Sequence, residues 1–361
     1  MNPNPSASAL PSTHDPERRL VEIRSEAITK GAVSAQGIRP AGAPFPVATA
    51  ETGYYDVPLL KEPQWKWEVP VYFFVGGAAG AAAVIGAMAR HIGNDRALAR
   101  DARWLAAMGG ALSPALLIAD LGVPSRFLNM LRVFKLQSPM SVGAWTMTAF
   151  SSAAAATTFA GMLRERFGES LPLALMENAG EILSAATGLF FNNYTGVLIG
   201  ATAVPVWNRN IDTLPIHFGI SGLAAAVSLL ELAGHEKSAA LNALGIGAAL
   251  LESLEGLALE GETDEVNDPL KRGISGWITR AGVALSGPLP LLLRMASLFA
   301  APETRSRLHR NAAQAMIVGS LLTRIGWMRA GHASALNPRL PLELPASEEQ
   351  SASAIKKFSA A

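Results

Sequence analysis

The stretch that decides the fold is Val69–Ala89, VPVYFFVGGAAGAAAVIGAMA. It carries no charged residue, and its length meets the requirement of about 20 predominantly apolar residues for a helix that crosses the hydrocarbon core of a bilayer. Working outward with the same criterion gives further candidates at Trp104–Leu121, Val142–Leu163, Ile182–Trp207, Leu214–Ala233, Leu241–Leu259, Ile274–Phe299 and Ala312–Met328. Pro288 and Pro290 predict a kink in the seventh segment. The expectation is an all-α integral membrane protein with about eight transmembrane helices in a compact bundle.

Composition agrees with the patterning. Of 361 residues, 50% are hydrophobic and 16% are charged, against about 25% charged in soluble domains. Mean hydropathy is +0.25. A net charge of +1 gives no reason to invoke nucleic acid as a partner. Lys and Arg divide evenly between the two sets of loops, so the positive-inside rule assigns no orientation. Cysteine is absent, which excludes disulfides, thiol nucleophiles and cysteine-ligated iron–sulfur clusters within this chain.

Three regions follow. Residues 1–68 form a polar extension rich in proline (Pro3, Pro5, Pro11, Pro16, Pro40, Pro44, Pro46, Pro58, Pro63). Such a segment is either disordered or laid onto a partner, and Gly53-Tyr54-Tyr55 and Trp65/Trp67 offer aromatic anchors for the second case. Arg18-Arg19 is followed by no apolar segment, which argues against a cleaved leader. Residues 69–330 form the membrane domain, and 331–361 a polar tail.

Small residues crowd the spans, as in Gly76-Gly77-Ala78-Ala79-Gly80 and Ser151-Ser152-Ala153-Ala154-Ala155-Ala156. They predict close helix packing, because lipid supplies no hydrophobic drive between helices. Haem requires axial ligands inside the helices, usually paired histidines. Of the six histidines only His217 lies within a span, so no haem and no metal-ligand set are predicted, and His217 reads as a hydrogen-bonded packing residue.

Ionisable residues at membrane depth are functional candidates by default. Asp120 closes the second segment, Glu181 opens the fourth and Glu231 sits late in the fifth. Glu252 and Glu255 share a face of the sixth, and Arg280 and Arg294 lie in the seventh. They read as interhelical pairs, with Glu252 or Glu255 against Arg280 or Arg294, or as a proton relay. The connection Asp120–Trp145, DLGVPSRFLNMLRVFKLQSPMSVGAW, is too rich in Pro, Arg, Phe and Met for a passive linker. It predicts an interfacial amphipathic turn built on Phe127, Met130, Leu131, Val133 and Phe134, with Arg126, Arg132 and Lys135 as anchors. Trp65 and Trp67 read as interfacial anchors, whereas Tyr72 and Tyr194 are phenols placed to donate hydrogen bonds inside an apolar site.

Four stretches carry a family resemblance: Trp65–Gly80 (WKWEVPVYFFVGGAAG), Ser113–Phe127 (SPALLIADLGVPSRF), Asn129–Trp145 with its run SPMSVGAW, and Tyr194–Trp207 (YTGVLIGATAVPVW). In order and spacing they resemble the NrfD family, the membrane subunits of polysulfide-reductase-type complexes. The resemblance implies a subunit of the inner (cytoplasmic) membrane without haem or metal. It binds a quinone, menaquinone or ubiquinone, near the face where a multi-cluster, ferredoxin-like iron–sulfur subunit docks, and a molybdopterin catalytic subunit completes the complex. It further implies a quinone pocket drawing on the start of the first helix, here Trp67 and Tyr72, and on Tyr194 in the fourth. Asp120 stands near as the proton-exchanging group, with Arg126 beside it. Some relatives carry a histidine where this chain has Tyr72, and the tyrosine keeps the hydrogen-bond donor. Glu181, Glu231, Glu252, Glu255 and Arg280 are the expected carriers of protons deeper into the bundle. Two other readings remain: a proton-coupled secondary transporter, which predicts matching inverted halves, and a structural anchor without a quinone site.

Overall fold

The computed structural model describes residues 21, 22, 25, 26, 29, 60–337 and 340. Gly53-Tyr54-Tyr55, the Arg18-Arg19 pair, most of the proline-rich extension and the tail beyond residue 340 lie outside them. The chain divides into two units, Met1–Val57 and Pro58–Ala361. In the first, the described residues are helical, with Ser25 Oγ donating to the Glu22 carbonyl and Thr29 Oγ1 to that of Ser25.

The second unit is a helical bundle, and no strand occurs among the described residues. Its long helices are α1 (Glu68–His91), α2 (Arg96–Asp120), α3 (Pro139–Phe167), α4 (Leu171–Gly200), α5 (Leu214–Leu230), α6 (Ala239–Gly261), α7 (Gly273–Ser286), α8 (Pro288–Ser297) and α9 (Pro302–Leu336). Among the described residues, five helices are long and apolar enough to cross a membrane: α1, α2, α4, α5 with its extension to His235, and α6. Helices α3 and α9, at 29 and 35 residues, have the length but are more polar.

The ends of the helices differ from expectation, each for a local reason. Helix α2 begins eight residues early, because Asp95 Oδ1 accepts from Leu98 N at 3.0 Å and caps the orphan donors of the first turn. Helix α4 begins at Leu171, well before Ile182, and stops at Gly200 rather than running to Trp207. The stop follows from Pro205, which drives Val204 to an extended ψ of 122° and restarts a short helix, Pro205–Arg209. The seventh segment breaks at Gly287, so α7 and α8 are separate, as Pro288 and Pro290 predict.

Helix α1 packs on α2, α4 and α5; α3 packs on α4; and α9 is held by α7, α8 and α5. Small residues set these distances. A Cβ on Gly80 would meet the Gly188 carbonyl oxygen at 2.4 Å, and one on Gly188 would meet the Gly80 oxygen at 2.8 Å, so α1 and α4 touch backbone to backbone. The outward surface carries exposed apolar side chains along several helices, among them Leu112, Phe159, Leu183, Phe190, Leu254 and Trp277, as a lipid-facing surface requires.

Candidate functional site

Alternating helix directions gather the start of α1, the end of α2, the start of α3 and the end of α4 at one end of the bundle. Contacts between segments fix this end. Trp65 stacks on Trp207 with ring centres 5.5 Å apart, Trp207 Nε1 donates to the Trp327 carbonyl at 2.8 Å, and Lys66 N donates to Asp120 Oδ1 at 3.3 Å.

A cavity of about 140 Å³ opens here. Trp65, Tyr72 and Phe73 supply one wall, Leu117 and Asp120 a second, and Gly143 and Met147 of α3 with Tyr194 and Leu198 of α4 the rest. Phe127 and Met130 close it from the 3-10 helix Pro124–Leu131, so the Asp120–Trp145 connection is part of the cavity wall. Residues 132–137 of that connection are exposed, including Val133 and Phe134, with Phe134 edge-on to Trp145 at 6.2 Å.

Two features mark the cavity. The Tyr194 hydroxyl oxygen is buried and has no hydrogen-bond partner of acceptable geometry, a costly state for a polar group in an apolar surround. The wall opposite is cut away for the tyrosine, since a Cβ on Gly143 would fall 2.3 Å from Tyr194 Cε1. Tyr72 is 2% exposed, tilted against Phe73 and Phe191 at 5.4 and 6.1 Å. Tyr72, Asp120 and Tyr194, drawn from three helices, thus meet at one cavity.

Two expected members of the site are elsewhere. Trp67 is 66% exposed and lines a separate surface groove with Lys66, Val71 and Arg329. The cavity takes Trp65 instead, because Trp67 is the N-cap of α1 and Trp65 precedes the helix, folding back onto Trp207. Arg126 lies on the exposed side of the 3-10 helix and does not line the cavity.

The ionisable residues fall into separate groups. At the opposite end of the bundle Glu177 accepts from Arg90, Arg103 and Arg164, each at 2.5 Å. One turn on, Glu181 lies 3.2 Å from both Arg90 Nη1 and His91 Nε2. Glu231 and Arg294 form a bidentate pair at 2.7 Å with both side chains buried, and Asn242 Oδ1 adds a third contact to the guanidinium at 3.0 Å. Glu252 accepts from Ser286 Oγ at 3.0 Å, and Glu255 Oε2 is 2.7 Å from His217 Nδ1. The expected pairing of Glu252 or Glu255 with Arg280 or Arg294 is therefore not the one formed. Arg280 points outward and pairs with Glu260 at 2.6 Å, its position on α7 facing away from the bundle interior. His217 is more than a packing residue, since it bonds Glu255 and has a Glu252 oxygen within 4.8 Å. Its partners sit on another helix, and no spacing in the sequence announces them.

The family described as polysulphide reductase, NrfD, matches residues 59–249, which include every residue of the cavity. No curated protein matches the chain. The match covers more than half of the chain, and the protein belongs to the polysulphide reductase NrfD family of membrane subunits.

Proposed function

We propose that the protein is the quinone-reactive membrane anchor of a multi-subunit oxidoreductase, with its quinone site at the cavity bounded by Tyr72, Asp120 and Tyr194. The observation that carries this reading is that Tyr194, whose buried hydroxyl has no partner, lines with Tyr72 an apolar cavity that also holds a carboxylate. The donor set suits a quinone headgroup: two phenols can hydrogen-bond carbonyl oxygens, and aromatic and methionine side chains can flank a planar ring.

A bound quinone supplies two-electron, two-proton redox chemistry. Tyr194 and Tyr72 orient its carbonyl oxygens by donating hydrogen bonds. Asp120, held by Lys66 N, gives or takes the proton at its carboxylate. Trp65, Phe127 and Met130 keep bulk water from the ring. Glu181, Glu231, Glu252 and Glu255 are the acids available to move protons deeper in the bundle, whereas Arg280 faces outward and takes no part. Eight membrane-crossing segments, counting α7 and α8 as one broken crossing, put both ends of the bundle domain on one side of the inner membrane. The electron partner is a multi-cluster iron–sulfur subunit docked at the cavity end, with a molybdopterin subunit beyond it, as is typical of the family.

The test is purification in mild detergent with the co-purifying chains identified and bound quinone extracted, followed by Tyr194→Phe in the intact complex. Co-purified iron–sulfur protein and quinone, with weaker quinone turnover in the variant, support the reading. Unchanged turnover removes Tyr194 from it, and a lone chain without quinone favours a structural anchor.

A further inference from the structure

A second cavity, of about 240 Å³, opens between α5, α6, α7 and α9 and is lined by His217, Glu255, Thr279, Thr323 and Trp327 among others. The quinone site lies elsewhere, and the proposed function draws here only on Glu252 and Glu255 as acids available to carry protons. Beside it, one ring nitrogen of His217 and one carboxylate oxygen from each of Glu252 and Glu255 all lie within 4.8 Å of one another. His217 and Glu252 are at least nine-tenths buried, and His217 Nε2 and Glu252 Oε1 have no hydrogen-bond partner.

The contrast with the other buried acids is sharp. Glu177 and Glu231 are held by arginines. Among the described residues, neither Glu252 nor Glu255 has a lysine or arginine at ion-pair distance; Glu255 has only His217. The buried guanidinium of Arg324 donates from its two terminal nitrogens to Ser221, Ser320 and the Phe218 carbonyl and to neither carboxylate. Two carboxylates and an imidazole brought this close, with His217 Nε2 and Glu252 Oε1 unpartnered, make a donor set that a cation can satisfy.

We propose that His217, Glu252 and Glu255 form a binding site for a divalent first-row transition-metal ion of the Zn²⁺ class. One imidazole with two carboxylates suits such ions, whereas Mg²⁺ and Ca²⁺ favour all-oxygen shells. Ligand atoms around tetrahedral Zn²⁺ stand roughly 3.4 Å apart for bonds near 2.1 Å. From a spread within 4.8 Å, the wider pairs need to close by no more than about 1.4 Å, while His217 Nδ1 and Glu255 Oε2, 2.7 Å apart, need to open by roughly 0.7 Å and exchange their hydrogen bond for the ion. The adjoining cavity leaves room for water as the remaining ligand, and Thr279 and Thr323 can hold that water by hydrogen bonds.

The experiment uses the full chain in detergent, its purification tag removed and metals stripped by chelator dialysis, titrated with Co²⁺ and then with competing Zn²⁺. The expected result is saturable visible absorption from about one Co²⁺ per chain, displaced by Zn²⁺. The affinity should fall at least about tenfold in Glu255→Gln and in His217→Gln, the scale seen when even outer-shell partners are removed. Size-exclusion profiles check that each variant is folded. Should His217→Gln not fold, Glu255→Gln decides, because its side chain is only partly buried. Absence of a saturable Co²⁺ spectrum in the unaltered chain overturns the proposal, as does equal affinity in a folded Glu255→Gln variant. The quinone extraction described above is read separately, so either reading can fail alone.

Discussion

The two ends of the bundle solve the problem of polar groups in an apolar solvent in opposite ways. At the end where α1 finishes and α4 begins, the acids stand against cations: Glu177 sits among three arginines, and Glu181 lies against Arg90 and His91. Glu231 and Arg294 satisfy one another near the same end of α5. At the end where α1 starts and α4 finishes, polarity is left open around space, with the Tyr194 hydroxyl unpartnered and Asp120 held by one backbone amide. Charges dominate the first end and neutral hydroxyls and a single carboxylate the second. The difference teaches where the bundle holds charge by pairing it and where it sets neutral polar groups around an apolar cavity.

The comparison breaks most visibly at the paired end. Arg294→Ala strands the buried Glu231 carboxylate, and the expected cost is about 3–5 kcal/mol of stability. Thermal unfolding in detergent measures it, and replacing both partners by apolar residues should recover most of the loss. If the single variant unfolds where the unaltered chain does, the pair is not structural.

At the open end the larger effect belongs to Gly143→Ala. Its new Cβ lands 2.3 Å from the Tyr194 ring, and overpacking of this kind costs about 1–3 kcal/mol. The displaced ring should weaken quinone binding more than it lowers the unfolding midpoint, as a quinone titration alongside a melt will show. A midpoint drop with unaltered quinone affinity would place Gly143 with the packing residues.

Tyr194→Phe removes one hydrogen bond and little volume. A net hydrogen bond is worth about 0.5–1.5 kcal/mol, so quinone affinity should fall by no more than roughly tenfold while the melt stays put. A lower melting point in this variant would mean that the hydroxyl has a structural partner after all.

The smallest effect separates the two tryptophans. Trp67→Ala should leave quinone affinity where it was, because Trp67 faces away from the cavity. Trp65→Ala, which strips the stack on Trp207, should reduce it. The reverse order would restore Trp67 to the site.

The outline of this protein was written along the chain. Uninterrupted apolar runs such as Val69–Ala89 require helices, because only internal hydrogen bonding satisfies a backbone in lipid. Pro288 breaks the seventh segment in the sequence and in the fold alike. The convergence of Tyr72, Asp120 and Tyr194 was legible too, since the stretches that carry the family resemblance hold all three. What the tertiary structure decided was rotation and partner. A helix that is apolar all round does not declare which face turns inward, so Arg280 could be placed on α7 but not seen to point outward to Glu260. Trp65 stands before its helix begins, beyond any helical phase, and only its stack on Trp207 brings it to the cavity. His217, Glu252 and Glu255 meet across two helices. Charges at membrane depth must find their partners on other helices, and that choice belongs to the packed bundle.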